Sequence, residues 1–379
     1  MAAIAGLVTA LAGSASAEEP ATFGEIKKDL TYTCTFPLVG KQDVTGHVKV
    51  TLPDTGTAGQ RIVPSDLVID ATLAPNIVGA LRAFGTAYAE GTGTADVDAA
   101  YDAKQLTMGI PGLKIPRRNI PPSGSLDITI TGKMPNFIVY KAGTLTLKAG
   151  QQFNAKVDTR KADGTPTPLG ILNVPCTVKV TTPPQDVLFA NIPISGAAGA
   201  AATSPVTTFG DITKTLTYTC TLPSPVGAQD VTGTLKGTIP DSGKVGQRMQ
   251  ITNLTIGAAL NDTITDWLRS NSSATVEGGG YADVDANFEG TRITIGIPGT
   301  IAPIAVPATG PMTGTITPDV PNLIFYQPGT VNVGAGQELN GKVTPRKADG
   351  SETGLGTFDL KCTVKPGQDL HVASVPITA

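Results

Sequence analysis

The chain has 379 residues and nearly balanced charge, with 28 Lys and Arg, 31 Asp and Glu and two His. Residues 18–194 carry 17 basic and 16 acidic groups and residues 203–379 carry 11 and 15, so neither half offers the basic surface that phosphate binding requires, which argues against nucleic acid as a partner. Only 16% of residues are charged against 40% hydrophobic, with 44 Gly and 30 Pro, which is enough apolar matter for a core and too much punctuation for long helices.

Residues 1–17 read as a secretory signal peptide, an apolar stretch closed by Ala15-Ser16-Ala17. No later segment approaches the roughly 18 unbroken apolar residues of a membrane span, and the C-terminal residues carry no hydrophobic anchor. The protein is therefore expected to be secreted and extracellular. In that setting four cysteines imply disulfides. Cys34 and Cys176 lie 142 residues apart, as do Cys220 and Cys362, so each half is expected to close its own bond, Cys34–Cys176 and Cys220–Cys362. On the loop-entropy model each contributes roughly 4 to 5 kcal/mol.

Alternation begins at Leu30, Tyr32, Cys34 and Phe36, with threonines between them, the pattern of a strand with one buried and one wet face. It continues through Val44 to Leu52, Leu106 to Ile110, Leu126 to Ile130, Phe153 to Val157 and Cys176 to Val180. Turn signals such as Pro53-Asp54-Thr55-Gly56 and Ala162-Asp163-Gly164 separate these runs. One segment breaks the period: Ile77, Leu81 and Phe84 recur at helical spacing. The uncharged residues 195–205 read as a Gly/Ala linker that lets its two sides reorient and fold independently.

After the linker the same domain returns. Leu30-Thr31-Tyr32-Thr33-Cys34-Thr35 recurs as Leu216-Thr217-Tyr218-Thr219-Cys220-Thr221, Arg160-Lys161-Ala162-Asp163-Gly164 as Arg346-Lys347-Ala348-Asp349-Gly350, and the helical segment as Ile264, Trp267 and Leu268. The chain thus divides into a signal peptide (1–17), repeat one (18–194), the linker and repeat two (206–379). Many short strands at this spacing predict two tandem antiparallel β-sandwiches, immunoglobulin-like or jelly-roll-like, each with one short helix over an open end. Trp267, the only tryptophan, is expected to plug that seam in repeat two.

Three polar features are candidates for chemistry. Asp96-Val97-Asp98 and Asp283-Val284-Asp285 put two carboxylates on one face of an extended segment, which could begin a weak Ca²⁺ site or simply solubilise the wet face of a strand; the second reading is preferred because Ca²⁺ wants six to eight oxygens. Gly59-Gln60-Arg61 and Gly246-Gln247-Arg248 recur likewise, and the arginine is expected to cap a loop carbonyl. The repeats differ most where Lys114, Arg117 and Arg118 give way to the apolar 301–307 segment, so that loop is the first candidate to touch an anionic ligand such as a wall polymer. His47 and His371 fall at non-equivalent places, and nothing near either supports a nucleophile system. No cofactor and no structural metal are expected.

The L-x-Y-x-C opening, the turn from Pro37 to Gln42, the Val245-Gly246-Gln247 segment and the closing Cys-Thr-Val strand resemble an uncharacterised domain of secreted actinobacterial proteins. The resemblance covers both repeats and implies location and architecture, with no activity and no site. The function expected is that of a non-enzymatic extracellular surface, adhesion or binding protein, its partner a cell-wall or surface polymer or another extracellular protein. The alternative is a secreted carbohydrate-binding protein or hydrolase, which an acid pair beneath exposed aromatics in a pocket would favour.

Overall fold

The computed structural model describes residues 23–198 and 210–379, so the expected signal peptide and residues 199–205 of the linker lie outside the described residues. Repeat one opens with β1 (Phe23–Phe36), β2 (Gly40–Pro53), the two-residue β3 (Gly56–Thr57) and β4 (Arg61–Ile62), and β5 (Leu67–Leu73). After α1 (Pro75–Ala83) come β6 (Tyr88–Tyr101), β7 (Lys104–Asn119), β8 (Leu126–Gly132), β9 (Asn136–Val139), β10 (Gly143–Arg160), β11 (Pro166–Val178) and β12 (Leu188–Ser195). Repeat two supplies β13 (Gly210–Thr221), β14 (Ala228–Ile239), β15 (Gly243–Lys244), β16 (Arg248–Met249) and β17 (Thr252–Leu260). Then follow α2 (Asp262–Ser270), β18 (Thr275–Phe288), β19 (Thr291–Ala305), β20 (Met312–Pro318), β21 (Asn322–Phe325), β22 (Gly329–Arg346), β23 (Phe358–Val364) and β24 (His371–Thr378).

In repeat one the antiparallel pairing runs β7–β8–β5–β2–β1–β11–β10–β6 and returns to β7, closing a sheet of eight strands. Repeat two closes the same way through β19–β20–β17–β14–β13–β23–β22–β18. The protein is all-β, with two closed antiparallel sheets and two short helices. Alternation explains the strands: along β2, Val48, Val50 and Leu52 are buried while His47 faces solvent. Each sheet carries its disulfide between directly opposed residues of neighbouring strands, Cys34–Cys176 on β1 and β11 and Cys220–Cys362 on β13 and β23.

The helices start differently. Asn261 caps α2, accepting a hydrogen bond from the Ile264 amide, whereas α1 begins after Ala74 with no side-chain cap and Pro75 in its first turn. Each is pinned near its last turn: Arg82 donates to the carbonyls of Pro121 and Pro122, Arg269 to those of Pro307 and Gly310. Phe84, expected on the buried face, is the exposed C-cap of α1. Lys114, Arg117 and Arg118, expected in a loop, lie within β7, whose register against β6 shifts across Pro116 and Arg117 as a bulge. Proline has no N–H to give the ladder, which suits Pro116 to the bulged position, where pairing lapses.

The repeats do not stand apart as the linker suggested. β9 of repeat one pairs with β19 of repeat two, from Asn136↔Gly296 to Val139↔Ile293, and β4 joins β9. Reciprocally, β21 of repeat two pairs with β7, from Asn322↔Gly109 to Phe325↔Leu106, and β16 joins β21. Each repeat thus donates two strands to the other's sheet. The core follows: Ile295 and Ile297 of repeat two belong to the same buried cluster as Met108, Ile110, Phe137 and Val139. Free reorientation would tear hydrogen-bonded ladder and apolar core together, so this expectation is corrected.

Candidate functional site at the seam between the repeats

The Gly-Gln-Arg trio is the turn by which the chain crosses from one sheet to the other. β3 pairs with β12 in its own sheet, the chain turns at Gly59 with φ +84°, and β4 lands beside β9 in the sheet of repeat two. The Gly59 amide donates to the Val139 carbonyl and the Gln60 amide to that of Thr57. Repeat two makes the same crossing at Gly246 with φ +72°, from β15 to β16. A left-handed backbone at that point is why glycine leads the trio.

The crossing delivers an arginine onto the Asp-x-Asp motif of the opposite repeat. Arg61 donates through both terminal nitrogens to both carboxylate oxygens of Asp283, at 2.8 and 2.7 Å, and to Glu338 at 2.9 Å. Arg248 grips Asp96 identically at 2.9 and 2.8 Å and reaches Gln152 at 3.2 Å. Each arginine also donates to an asparagine of its own repeat, Arg61 to Asn136 and Arg248 to Asn322. A Cβ at Gly296 would sit 2.0 Å from Asn136 Oδ1 and one at Gly109 2.3 Å from Asn322 Oδ1, so a larger residue at either place would displace the asparagine.

The second aspartate holds the opposite repeat through a threonine. Thr107 hydrogen-bonds Asp98 and, at 2.8 Å, the hydroxyl of Tyr326; Thr294 hydrogen-bonds Asp285 and, at 2.8 Å, that of Tyr140. The two acids do share a face, as period 2 demands, but that face is the seam. Asp96 is 4% and Asp283 7% exposed, so the solvated-strand reading is corrected. The arginines take carboxylates rather than loop carbonyls. Among the described residues no group of three or more metal-ligating side chains forms, and both oxygens of Asp96 and Asp283 are already engaged.

Burial sets the electrostatics. It pushes the Asp283 carboxyl above its ordinary range against the opposing pull of Arg61, with Glu338 and Asp285 adding to the rise. Asp98 rises for the same first reason. Burial also lifts the Tyr32 phenol to about 12, helped by Asp96 and Asp98, and Tyr218 to about 12, helped by Asp283.

On the repeat-two side the seam opens into a cleft of about 890 Å³. Its walls combine Tyr140 with Asp285, Glu338, Asn287, Gln337 and Gln368. Arg292 stacks over Tyr140, 3.9 Å from the ring centroid, and pairs with Asp285 at 2.5 Å, while its Nε is buried without a hydrogen-bond partner among the described residues. Repeat one has Lys148, close to Asp98, at the position of Gly334 on the cleft wall. Of the basic trio, Arg117 stacks on Tyr88 at 3.4 Å, Lys114 acts on Asp319, and exposed Arg118 makes no side-chain hydrogen bond or ion pair among the described residues. The structure does not bring the three together as one anion site.

The fold and seam define a two-repeat β-protein whose halves interlock by exchanged strands and a reciprocal pair of arginine–aspartate clasps. The chain belongs to a family of unknown function, DUF6801, whose model matches residues 31–190 and 217–373, one match per repeat. No curated protein matches it. Among solved structures it is similar at 13% identity and a TM-score of 0.26 to a Corynebacterium diphtheriae protein provisionally described as membrane anchored, over 94% of this chain and 59% of that one. No helix among the described residues is long and apolar enough to cross a membrane.

Proposed function

We propose that this is a non-enzymatic, extracellular binding protein that holds a polyhydroxylated surface polymer in the cleft at the seam. The observation that carries the reading is the state of the cleft's charges. Asp283 and Glu338 are held by Arg61, Asp285 by Arg292 and Thr294, and Asp369 by Lys214. Carboxylates tied in this way serve as fixed acceptors better than as proton carriers. The amides of Asn287 and Gln337, beside the Tyr140 ring that Arg292 covers on one face, offer the donors and acceptors that a sugar ring uses. Two disulfides fit an oxidising compartment. The immunoglobulin-like or jelly-roll-like arrangement expected from the strand spacing belongs to this proposal as well.

Purified cell-wall and polysaccharide fractions, immobilised and challenged with the full chain, test the reading. Retention is expected on a glycan fraction and is expected to be lost in Gly334→Lys, which places the lysine of repeat one in the cleft. Retention undiminished in that variant would remove the cleft from the account, and no retention on any fraction would remove the polymer.

The carbohydrate-hydrolase reading has one observation in its favour, a raised carboxyl, Asp283, close to Asp285 and Glu338. Release of reducing ends from the retained fraction, lost in Asp285→Asn, would establish it.

A further inference from the structure

The interior of the first closed sheet holds an apolar cavity of about 140 Å³ that the second lacks in that form. Repeat two instead has cavities of about 60 and 40 Å³, neither lined by a residue of its helix. The difference traces to the helix. Trp267 of α2 is buried and meets Phe358 edge-on, with ring centroids 5.6 Å apart, in the cluster that contains Cys220, Leu268, Met312 and Cys362. The register of α1 on α2, Pro75 on Asp262 and Leu81 on Leu268, puts Ala80 at the position of Trp267. Leucine stands for Phe358 as well, since Leu172 precedes Cys176 by the same interval. Repeat one therefore has the frame of the plug without the plug, and its cavity runs up to Leu81 of α1.

The lining is chemically specific. Its walls are Val, Leu, Ile, Ala, Met and aromatic side chains with the Cys34–Cys176 disulfide, and its two charged members are Asp96 and Arg118. Asp96 is neutralised at the seam by Arg248. Arg118 is the exposed member of the lining and has no side-chain partner among the described residues, so it stands at the mouth with its charge unspent. In repeat two the equivalent residue is Ile304, paired opposite Val276 as Arg118 is opposite Ala89. The repeat that lost the tryptophan is thus the one with a cation at the rim.

We propose that the first closed sheet is a binding site for an amphiphile with an anionic head, its apolar tail entering beneath α1 and its carboxylate meeting Arg118. An apolar cavity of this size stays dry and accepts a group about as large as benzene, that is, about six carbons. The matched probes are therefore octanoate and the uncharged 1-octanol. This site is separate from the glycan cleft, and neither proposal requires the other.

Calorimetric titration of octanoate into the full chain is expected to give one site. Ala80→Trp, which supplies the missing plug, is expected to abolish binding while the chain still melts cooperatively. Arg118→Ile alters an exposed position, and is expected to weaken octanoate about fivefold and leave octanol unchanged, the effect of one exposed charge pair. Gly334→Lys is expected to leave octanoate binding as it is. No octanoate binding at millimolar concentration, or equal binding by Ala80→Trp, would overturn the site. Equal loss of octanoate and octanol affinity in Arg118→Ile would overturn the head-group assignment.

Discussion

Repeat one and repeat two share most of the residues that clasp them together and differ at several positions that line a cavity or a cleft. Arg61 and Arg248, Asp96 and Asp283, Asn136 and Asn322, Thr107 and Thr294, Tyr140 and Tyr326 are matched pairs across the seam. Away from it, Ala80 stands for Trp267 and Arg118 for Ile304, and on the wall of the cleft beside it Lys148 stands for Gly334. A seam closed twice by the same contacts constrains both copies at once, because a change in either repeat breaks one of the two clasps. A cavity inside one sheet belongs to one copy and is free to differ, and the cleft differs through single positions such as Gly334. The difference teaches that the shared residues report assembly, and that specificity is to be sought among the unshared ones.

The largest test of that division is to separate the halves. Residues 23–198 and 210–379 expressed alone each lack two strands of their sheet, and the first also loses Ile295 and Ile297 from its buried cluster, so neither is expected to unfold cooperatively as a monomer. Mixed, they are expected to form a 1:1 complex, measurable by light scattering. Two independently melting halves would return the repeats to the status of separate domains.

The clasps come next and are not equal. Arg61→Ala strands Asp283 beside a second carboxylate, Glu338, which keeps its bond from Asn340, whereas Arg248→Ala strands Asp96 beside the uncharged Gln152. Breaking a buried pair by removing one partner costs about 3 to 5 kcal/mol. Urea unfolding is expected to place Arg61→Ala at the upper end of that range and Arg248→Ala at the lower. The reverse order would show that the shared geometry, and not the local charge, sets the cost.

Helix entry gives a smaller contrast. Asn261→Ala is expected to destabilise by about 1 kcal/mol through loss of its bond to the Ile264 amide. Ala74 has the same extended backbone, φ −66° and ψ 156° against −72° and 170°, so Ala74→Asn is expected to stabilise repeat one by a comparable amount. Thermal melts of the two variants should move in opposite directions.

The smallest effect should be the same in both repeats. Asp43 is held below the ordinary carboxylate range by the hydrogen bond from Lys179, and Asp230 by that from Lys365. A folded-state value lower than the unfolded 3.8 means that the contribution is present above pH 3.8 and is lost as pH falls through the folded value. Lys179→Ala and Lys365→Ala are each expected to soften acid unfolding below about pH 4 slightly and alike, since both pairs are exposed.

Much of this was legible in the chain. The repeat, the alternation and the interval of 142 residues between cysteines point to the strands and to the pairing that the structure contains. Alternation could not reveal closure, because a strand presents one buried face to an open or a closed sheet alike. Nor could it reveal β9 and β21: four residues, buried at Asn136, Phe137 and Val139 in β9 and at Phe325 alone in β21, carry no period to detect. The clasp has a signal in the sequence. The Gly-Gln-Arg trio and the Asp-x-Asp motif, each present twice at the same interval, are candidate partners, and in a closed pair of repeats the partner sits in the other copy. What sequence spacing lacks is the crossing at Gly59 and Gly246, which only a turn with positive φ makes possible.

That crossing has a consequence for ancestry. One repeat alone carries both an arginine arm and the aspartate that receives it, so its surface is complementary to itself, as an isologous twofold contact requires. Two separate copies of a single such domain would close the same seam as a homodimer, with identical interiors by necessity. Joining them in one polypeptide keeps the twofold contact and releases the interiors from identity, so that one gene can furnish a sealed subunit and an open one in fixed proportion.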